Sequence, residues 1–251
     1  MKQTPLAIRL GRNDLRLIGR DQLLISMFVF ALLLSLALRY GLPWLNEYLS
    51  QHGVMPGELV DRPLYSYYPP ILAHMILYNG AALVGTVFGF LLLGEKDDRT
   101  WCAMLVTPVS PLSYLGYRVA ATSAFGFLIV ASMLAVTHQG RLGLWQLPVL
   151  AVGAALTAPI VALFITVTAE NKVQGFAVAK FVSLAGGIIV LGWFVAEPWQ
   201  WLFGLFPPFL VSKAYWMAWN DATDWWVTVC LAIVMQGIMT MWLSHRITRI
   251  I

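Results

Sequence analysis

Charge is what this chain has least of. Only 11% of its 251 residues are Asp, Glu, Lys or Arg, where soluble domains carry roughly a quarter. Other absences narrow the chemistry. There is no Gly-Lys dipeptide and hence no phosphate-cradling P-loop. There is no HExxH and no paired CxxC, and His52, His74, His138 and His245 are scattered, so nothing in the spacing builds a metal centre. Cys102 and Cys230 are the two cysteines. They fall at different depths in the membrane arrangement below, so they do not pair within one chain and are silent on redox compartment. The net charge of +4 comes with no basic run interleaved with aromatics beyond the N-terminal segment, which sets nucleic acid aside.

What is present is apolar surface. Hydrophobic residues make up 59% of the chain and the mean hydropathy is +0.74. A globule of this length cannot hide so much from water, and the surplus faces lipid. A bilayer core needs roughly 20 apolar residues at 1.5 Å rise. Segments at about 22–40, 70–93, 115–136, 147–168, 177–196 and 225–243 meet that length, predicting an all-α integral membrane protein of six transmembrane helices. The first is the weakest, interrupted by Ser26 and Ser35. A cleaved signal peptide is the alternative there, but the charged region before it is long and no small-residue cleavage site follows Leu38. The whole chain reads as one transmembrane domain, residues 1–251.

An even number of spans puts both termini on one side. With the termini inside, the inner segments hold Lys2, Arg9, Arg12, Arg16, Arg20, Lys96, Arg99, Arg118, Lys172, Lys180, Arg246 and Arg249, and the outer ones Arg39, Arg62, Arg141 and Lys213. Twelve against four predicts both termini in the cytoplasm, and most tryptophans then gather at the outer ends. Arg9, Arg12, Arg16 and Arg20 recur at helical steps, with Leu6, Leu10 and Leu17 on an adjacent face. That suits an N-terminal interfacial helix; a plain positive-inside signal is the other reading.

In the second span Ala81, Gly85 and Gly89 repeat every four residues and let another helix approach closely, within the bundle or between subunits. The segment Glu197–Asp224 is strongly aromatic and bends at Pro207-Pro208. Two half-helices re-entering the outer leaflet before the sixth span fit it, and so does a pair of surface-lying helices. Asn79 and Gln236 are the polar residues nearest mid-span. They are candidates for a substrate path, or for hydrogen bonds between helices.

The densest run of charge between two apolar segments is Leu93 to Pro111. Asp97 and Asp98 stand where a helix would begin, their charge suiting its positive end. Residues 99–106 hold no breaker, Pro108 stops the run, and Trp101, Met104 and Leu105 share a face. Such a helix either rests on the inner leaflet or fills a groove on a soluble partner. Asp97-Asp98 could alternatively hold a metal-bound phosphate, as in a membrane-embedded enzyme acting on lipid phosphates, although no further carboxylate follows at helical spacing.

Glu95-Lys-Asp97-Asp98-Arg-Thr100, followed by Leu105-Val-Thr107-Pro108-Val-Ser110, resembles the segment after the second span of type-2 ABC exporter permeases. Arg99 stands where the family pattern has Gly. Asn171-Lys-Val-Gln174-Gly175-Phe176 is similar to the corresponding loop of fluoroquinolone-export permeases. The resemblance implies a cytoplasmic coupling helix, roughly Asp97–Thr107, on which a separate ATPase subunit docks. Its interface residues would be Glu95, Asp97, Asp98, Thr100, Trp101, Met104, Leu105, Thr107, Pro108 and Ser110. It further implies a second permease chain, identical or sister, and a bacterial-type plasma membrane. ATP and Mg would be bound by the partner ATPase, with no cofactor, metal or catalytic residue in this chain. The cargo would be amphipathic, drug-like or lipid-like.

Overall fold

The computed structural model of the chain describes residues 22–52, 64–98, 111–138 and 140–249. The N-terminal arginine stripe and most of the Leu93–Pro111 stretch lie outside them. All regular structure among the described residues is helical. In order these are α1 (Gln22–His52), a 3-10 turn (Leu64–Tyr67), α2 (Tyr68–Leu72), a π-helical turn (Ala73–Tyr78), α3 (Asn79–Asp97), α4 (Pro111–Thr137), α5 (Gln146–Ala155) and α6 (Thr157–Thr168). Then follow α7 (Lys172–Ala185), α8 (Gly187–Trp193), a 3-10 helix (Trp199–Leu205), α9 (Pro207–Trp219) and α10 (Trp225–Thr248).

Six stretches among the described residues are long and apolar enough to cross a bilayer: Phe28–Gln51, Leu64–Asp97, Leu112–Thr137, Gln146–Thr168, Lys172–Trp193 and Trp225–Thr248. They match the six expected segments, with two shifts. The first continues to His52 where a loop from residue 41 was expected. Pro43 costs α1 one hydrogen bond, but helix-forming residues follow it and Trp44 stacks on Tyr48 one turn on, centroids 5.5 Å apart. The second begins earlier, because Pro69 and Pro70 occupy the first turn of α2, where no backbone donor is needed.

The second and fourth spans are mostly buried and the other four much less so, which makes this pair the centre of the bundle. Their contact explains the small-residue stripe. A Cβ on Gly85 would come within 2.4 Å of the Ala158 carbonyl oxygen, and one on Gly89 within 3.2 Å of Ile165. The stripe is therefore a packing seam against α6. The fourth span breaks at Leu156, and Pro159, unable to donate to the Ala155 carbonyl, accounts for the break. Gln236 closes the gap from α10. Its Nε2 donates to the Gly153 carbonyl at 2.9 Å, and its Oε1 accepts from Thr157 at 2.8 Å.

The fifth span breaks at Gly186 for a different reason. A Cβ there would meet the Tyr78 ring at 2.3 Å and the His74 ring at 2.6 Å, and the Tyr78 hydroxyl donates to the Val182 carbonyl. The π-helical turn thus wedges two rings into the bend of its neighbour.

The two halves of Glu197–Asp224 differ in how far they are buried. In α9 every residue except Met217 is buried, against α10, α5 and the π-helical turn. A helix lying flat on a surface keeps one face open, and α9 does not. The Trp199–Leu205 turn does, with Trp199, Leu202 and Leu205 exposed.

Candidate functional site

The end of the bundle that carries the charged stretch is held by three sets of contacts, each joining the tip of α3 to a different neighbour. The first flanks the undescribed residues 99–110. Glu95, one turn from the end of α3, forms an ion pair with Arg118 of α4. The Tyr114 hydroxyl donates to the other carboxylate oxygen of Glu95 and accepts from Arg118 Nε at 2.8 Å. The Arg118 side chain is 3% exposed and that of Glu95 21%. A guanidinium so far from water needs a carboxylate beside it, and the pair fastens together the two helices from which the segment emerges.

The second set caps α6. Lys96 Nζ donates to the carbonyls of Ala169 at 3.0 Å and Thr166 at 3.4 Å, placing a cation at the negative end of a helix whose last acceptors lack intrahelical donors. The third set gives Asn171, Gln174, Gly175 and Phe176 of the Asn171–Phe176 motif a structural role each. Asn171 caps α7 by accepting from the Gln174 amide at 3.0 Å, and the Gln174 side chain accepts from the Glu170 amide at 2.9 Å. Together they close the start of α7 in the manner of a capping box, with the Gln174 side chain reaching one residue beyond the cap to the Glu170 amide. Gly175 faces Leu93 and Phe90, where a Cβ would come within 2.7 Å. Phe176 then packs on Phe90, centroids 4.5 Å apart.

Of the docking residues expected from sequence, Glu95 lies in the clasp, while Asp97 and Asp98 are exposed at the tip of α3. Thr100, Trp101, Met104, Leu105, Thr107, Pro108 and Ser110 lie outside the described residues. One correction follows. Asp97 is the last residue of α3 and Asp98 its C-cap, whose amide donates to the Gly94 carbonyl at 2.9 Å. The two aspartates close the second span instead of opening a new helix, because hydrogen bonding continues unbroken through Lys96. No cluster of three His, Cys, Asp or Glu side chains suited to a metal occurs among the described residues.

A cavity of about 440 Å³ lies between α1, the second span and α7. Phe30, Phe90 and Phe176 line it with Asn79, Lys180 and Ser183. Asn79 is turned back on its own helix, donating to the His74 carbonyl at 3.1 Å, yet it remains on the cavity wall. Gln236, the other mid-span candidate, is fully buried and engages both ends of its amide with α5 and α6. The count of inner cations put Lys180 and Arg118 on one footing. Only Arg118 has a signal that could have been read: an acidic residue placed before the same loop that Arg118 follows.

A family model described as Fluoroquinolones export permease protein Rv2686c-like matches residues 14–244. Two curated relatives are similar to the chain: Fluoroquinolones export permease protein Rv2686c of Mycobacterium tuberculosis strain H37Rv, and Fluoroquinolones export permease protein MT2760 of strain CDC 1551. Each is 30% identical over 218 residues, covering 86% of this chain and 83% of the relative. No solved structure matches the chain.

Proposed function

The chain belongs to the fluoroquinolone export permease family, that of ABC-type exporter permeases, and on that premise we propose that it moves an amphipathic, drug-like substrate outward across the plasma membrane, energised by a separate ATPase. The family match over nearly the whole chain carries this reading. The six apolar helices and the clasped loop between the second and third are the features it uses.

Both termini face the cytoplasm in this account, with the first 21 residues along the inner leaflet and α9 re-entering the outer half of the bilayer. The ATPase docks on residues 99–110, its groove taking Trp101, Met104 and Leu105, with Glu95, Asp97, Asp98, Thr100, Thr107, Pro108 and Ser110 at the margins. ATP and Mg reside on that partner. A second permease chain, identical or sister, completes the unit.

Closure of the ATPases displaces the docking segment. The Glu95–Tyr114–Arg118 clasp hands the movement to α3 and α4 together, and Lys96 and the α7 capping box pass it to the fourth and fifth spans. A change confined to one end becomes a shift of packed helices. The groove beside α3 and α7 has the makeup of a small-molecule site: aromatic walls with few polar groups. Lys180, its charged member, suits cargo bearing an acidic group.

The test is ATP-driven uptake of a fluoroquinolone into inside-out vesicles containing the chain with its co-purified ATPase. Uptake that needs both proteins and ATP, and that falls for Lys180→Gln with a carboxylate-bearing drug but not with its ester, supports the reading. Uptake equal in vesicles lacking the chain would overturn it.

A further inference from the structure

A second cavity, of about 360 Å³, lies at the other end of the bundle, between the end of α8 and α9. Trp193, Glu197, Gln200, Lys213, Trp216 and Asn220 form its walls. Lys213 and Glu197 are an ion pair, and the two partners differ sharply in exposure: the lysine side chain is 3% exposed and the glutamate 58%. The ammonium is committed inward. It donates to the Gln200 side-chain oxygen and lies 4.5 Å from the Trp201 ring centroid. Gln200 is held for that role by donating to the Gly192 carbonyl at 2.9 Å.

An ion pair with one partner enclosed and the other open to water adds little to stability, so its place on a cavity wall calls for another reason. The exposures set the sign. The positive charge is enclosed and the negative one open, so an entering molecule meets a carboxylate. Beside it Trp193 and Trp216 pack edge to face, centroids 5.0 Å apart and planes at 81°. Among the described residues, the Trp216 indole N–H is buried without an acceptor, an arrangement that costs stability unless something supplies one.

We propose that this cavity binds an organic ammonium, a protonated or quaternary amine packed against Trp193 and Trp216 with its charge toward Glu197. Tryptophan rings attract such cations through their negative faces, and a nearby carboxylate adds to the attraction. An oxygen beside the nitrogen would accept the Trp216 N–H. The ammonium has two sources, the headgroup of a zwitterionic lipid in the surrounding leaflet or a soluble amine. The proposal goes beyond export and does not depend on it, since binding requires neither ATPase nor turnover.

The full chain in nanodiscs of phosphatidylglycerol alone, titrated calorimetrically with benzyltrimethylammonium, tests it. Saturable binding is expected, weakened about tenfold by Glu197→Gln through loss of the charge partner, weakened also by Trp193→Leu, and not competed by benzenesulfonate. Lys213→Met should act in the opposite direction, tightening binding by freeing the carboxylate. Glu197 is exposed enough for its variant to fold even where the Lys213 variant does not. Absence of saturable binding, unchanged affinity in Glu197→Gln, or competition by benzenesulfonate would overturn the assignment. Repeating the titration in phosphatidylcholine nanodiscs separates the sources: loss of probe binding identifies the lipid headgroup, unchanged binding a soluble amine, and either result keeps the ammonium assignment.

Discussion

Removing the charge of Glu95 tests whether the clasp beside the docking loop carries mechanical load or only decorates the bundle. The Arg118 side chain is 3% exposed, so in Glu95→Gln its guanidinium keeps its dry surroundings and loses the carboxylate it faces. Breaking a buried pair from one side costs about 3–5 kcal/mol. The reverse change, Arg118→Met, leaves Glu95, which at 21% exposure has partial access to water. That loss should be smaller, about 1–2 kcal/mol. The double variant should cost less than Glu95→Gln alone, because the methionine removes the charge that the glutamine strands. The measurement is a double-mutant cycle on unfolding of the purified chain in mixed detergent micelles, read beside ATPase stimulation in the reconstituted complex. Glu95→Gln should also lower drug-stimulated ATP hydrolysis more than it lowers ATPase binding, since the docking surface stays while its connection loosens. Single-variant costs that sum to the double within about 0.5 kcal/mol would mean that the two residues do not interact, and the reasoning would be refuted.

Three further outcomes follow from the packing. Gly85→Ala drives a methyl to within 2.4 Å of a backbone oxygen, so α3 and α6 must separate, at a cost of about 1–3 kcal/mol; a thermal melt equal to wild type would contradict the seam. Gln236→Leu removes two bonds between helices and should cost about 0.6–1.7 kcal/mol, the range for such bonds in membranes, while leaving the drug concentration for half-maximal transport unchanged; a shift in that concentration would place Gln236 on the substrate path after all. Single cysteines in a Cys230→Ser, Cys102→Ser chain should react with impermeant maleimide from the cytoplasmic side at Asn171 and from the outside at Asn220. The opposite pattern would invert the topology.

The six spans were legible because each keeps its apolar character over the length a bilayer demands, and Gly85 and Gly89 could be read as a packing stripe from spacing alone. The interruptions were legible unevenly. Pro159 announces the break at Leu156 in its own sequence, whereas the break at Gly186 depends on the Tyr78 and His74 rings, about a hundred positions away. The aromatic content of Pro207–Trp219 suits a surface helix and an inserted one equally, and gave no sign of the long-range contacts with α10 and α5 that bury it. Asp97 and Asp98 look like a helix start because acidic residues favour that end; tertiary contacts of Glu95 and Lys96 carry the preceding helix through them instead. Asn171 and Gln174 matched a family pattern before their capping role was visible, since the three-residue spacing of the box is local. Lys213 and Glu197, 16 positions apart, gave no sign of meeting.

If another protein's ATP cycle acts on this chain through residues 99–110, the two proteins must touch there. Cross-linking tests it most directly. With Leu105→Cys as the sole cysteine, inside-out vesicles holding the chain and its co-purified ATPase are treated with a short bifunctional thiol reagent, with and without ATP. The expected result is a product joining the chain to the ATPase, its yield changed by nucleotide, and no such product from a sole cysteine at Asn220. A chain that cross-links to the ATPase equally from both positions, or from neither, would contradict it.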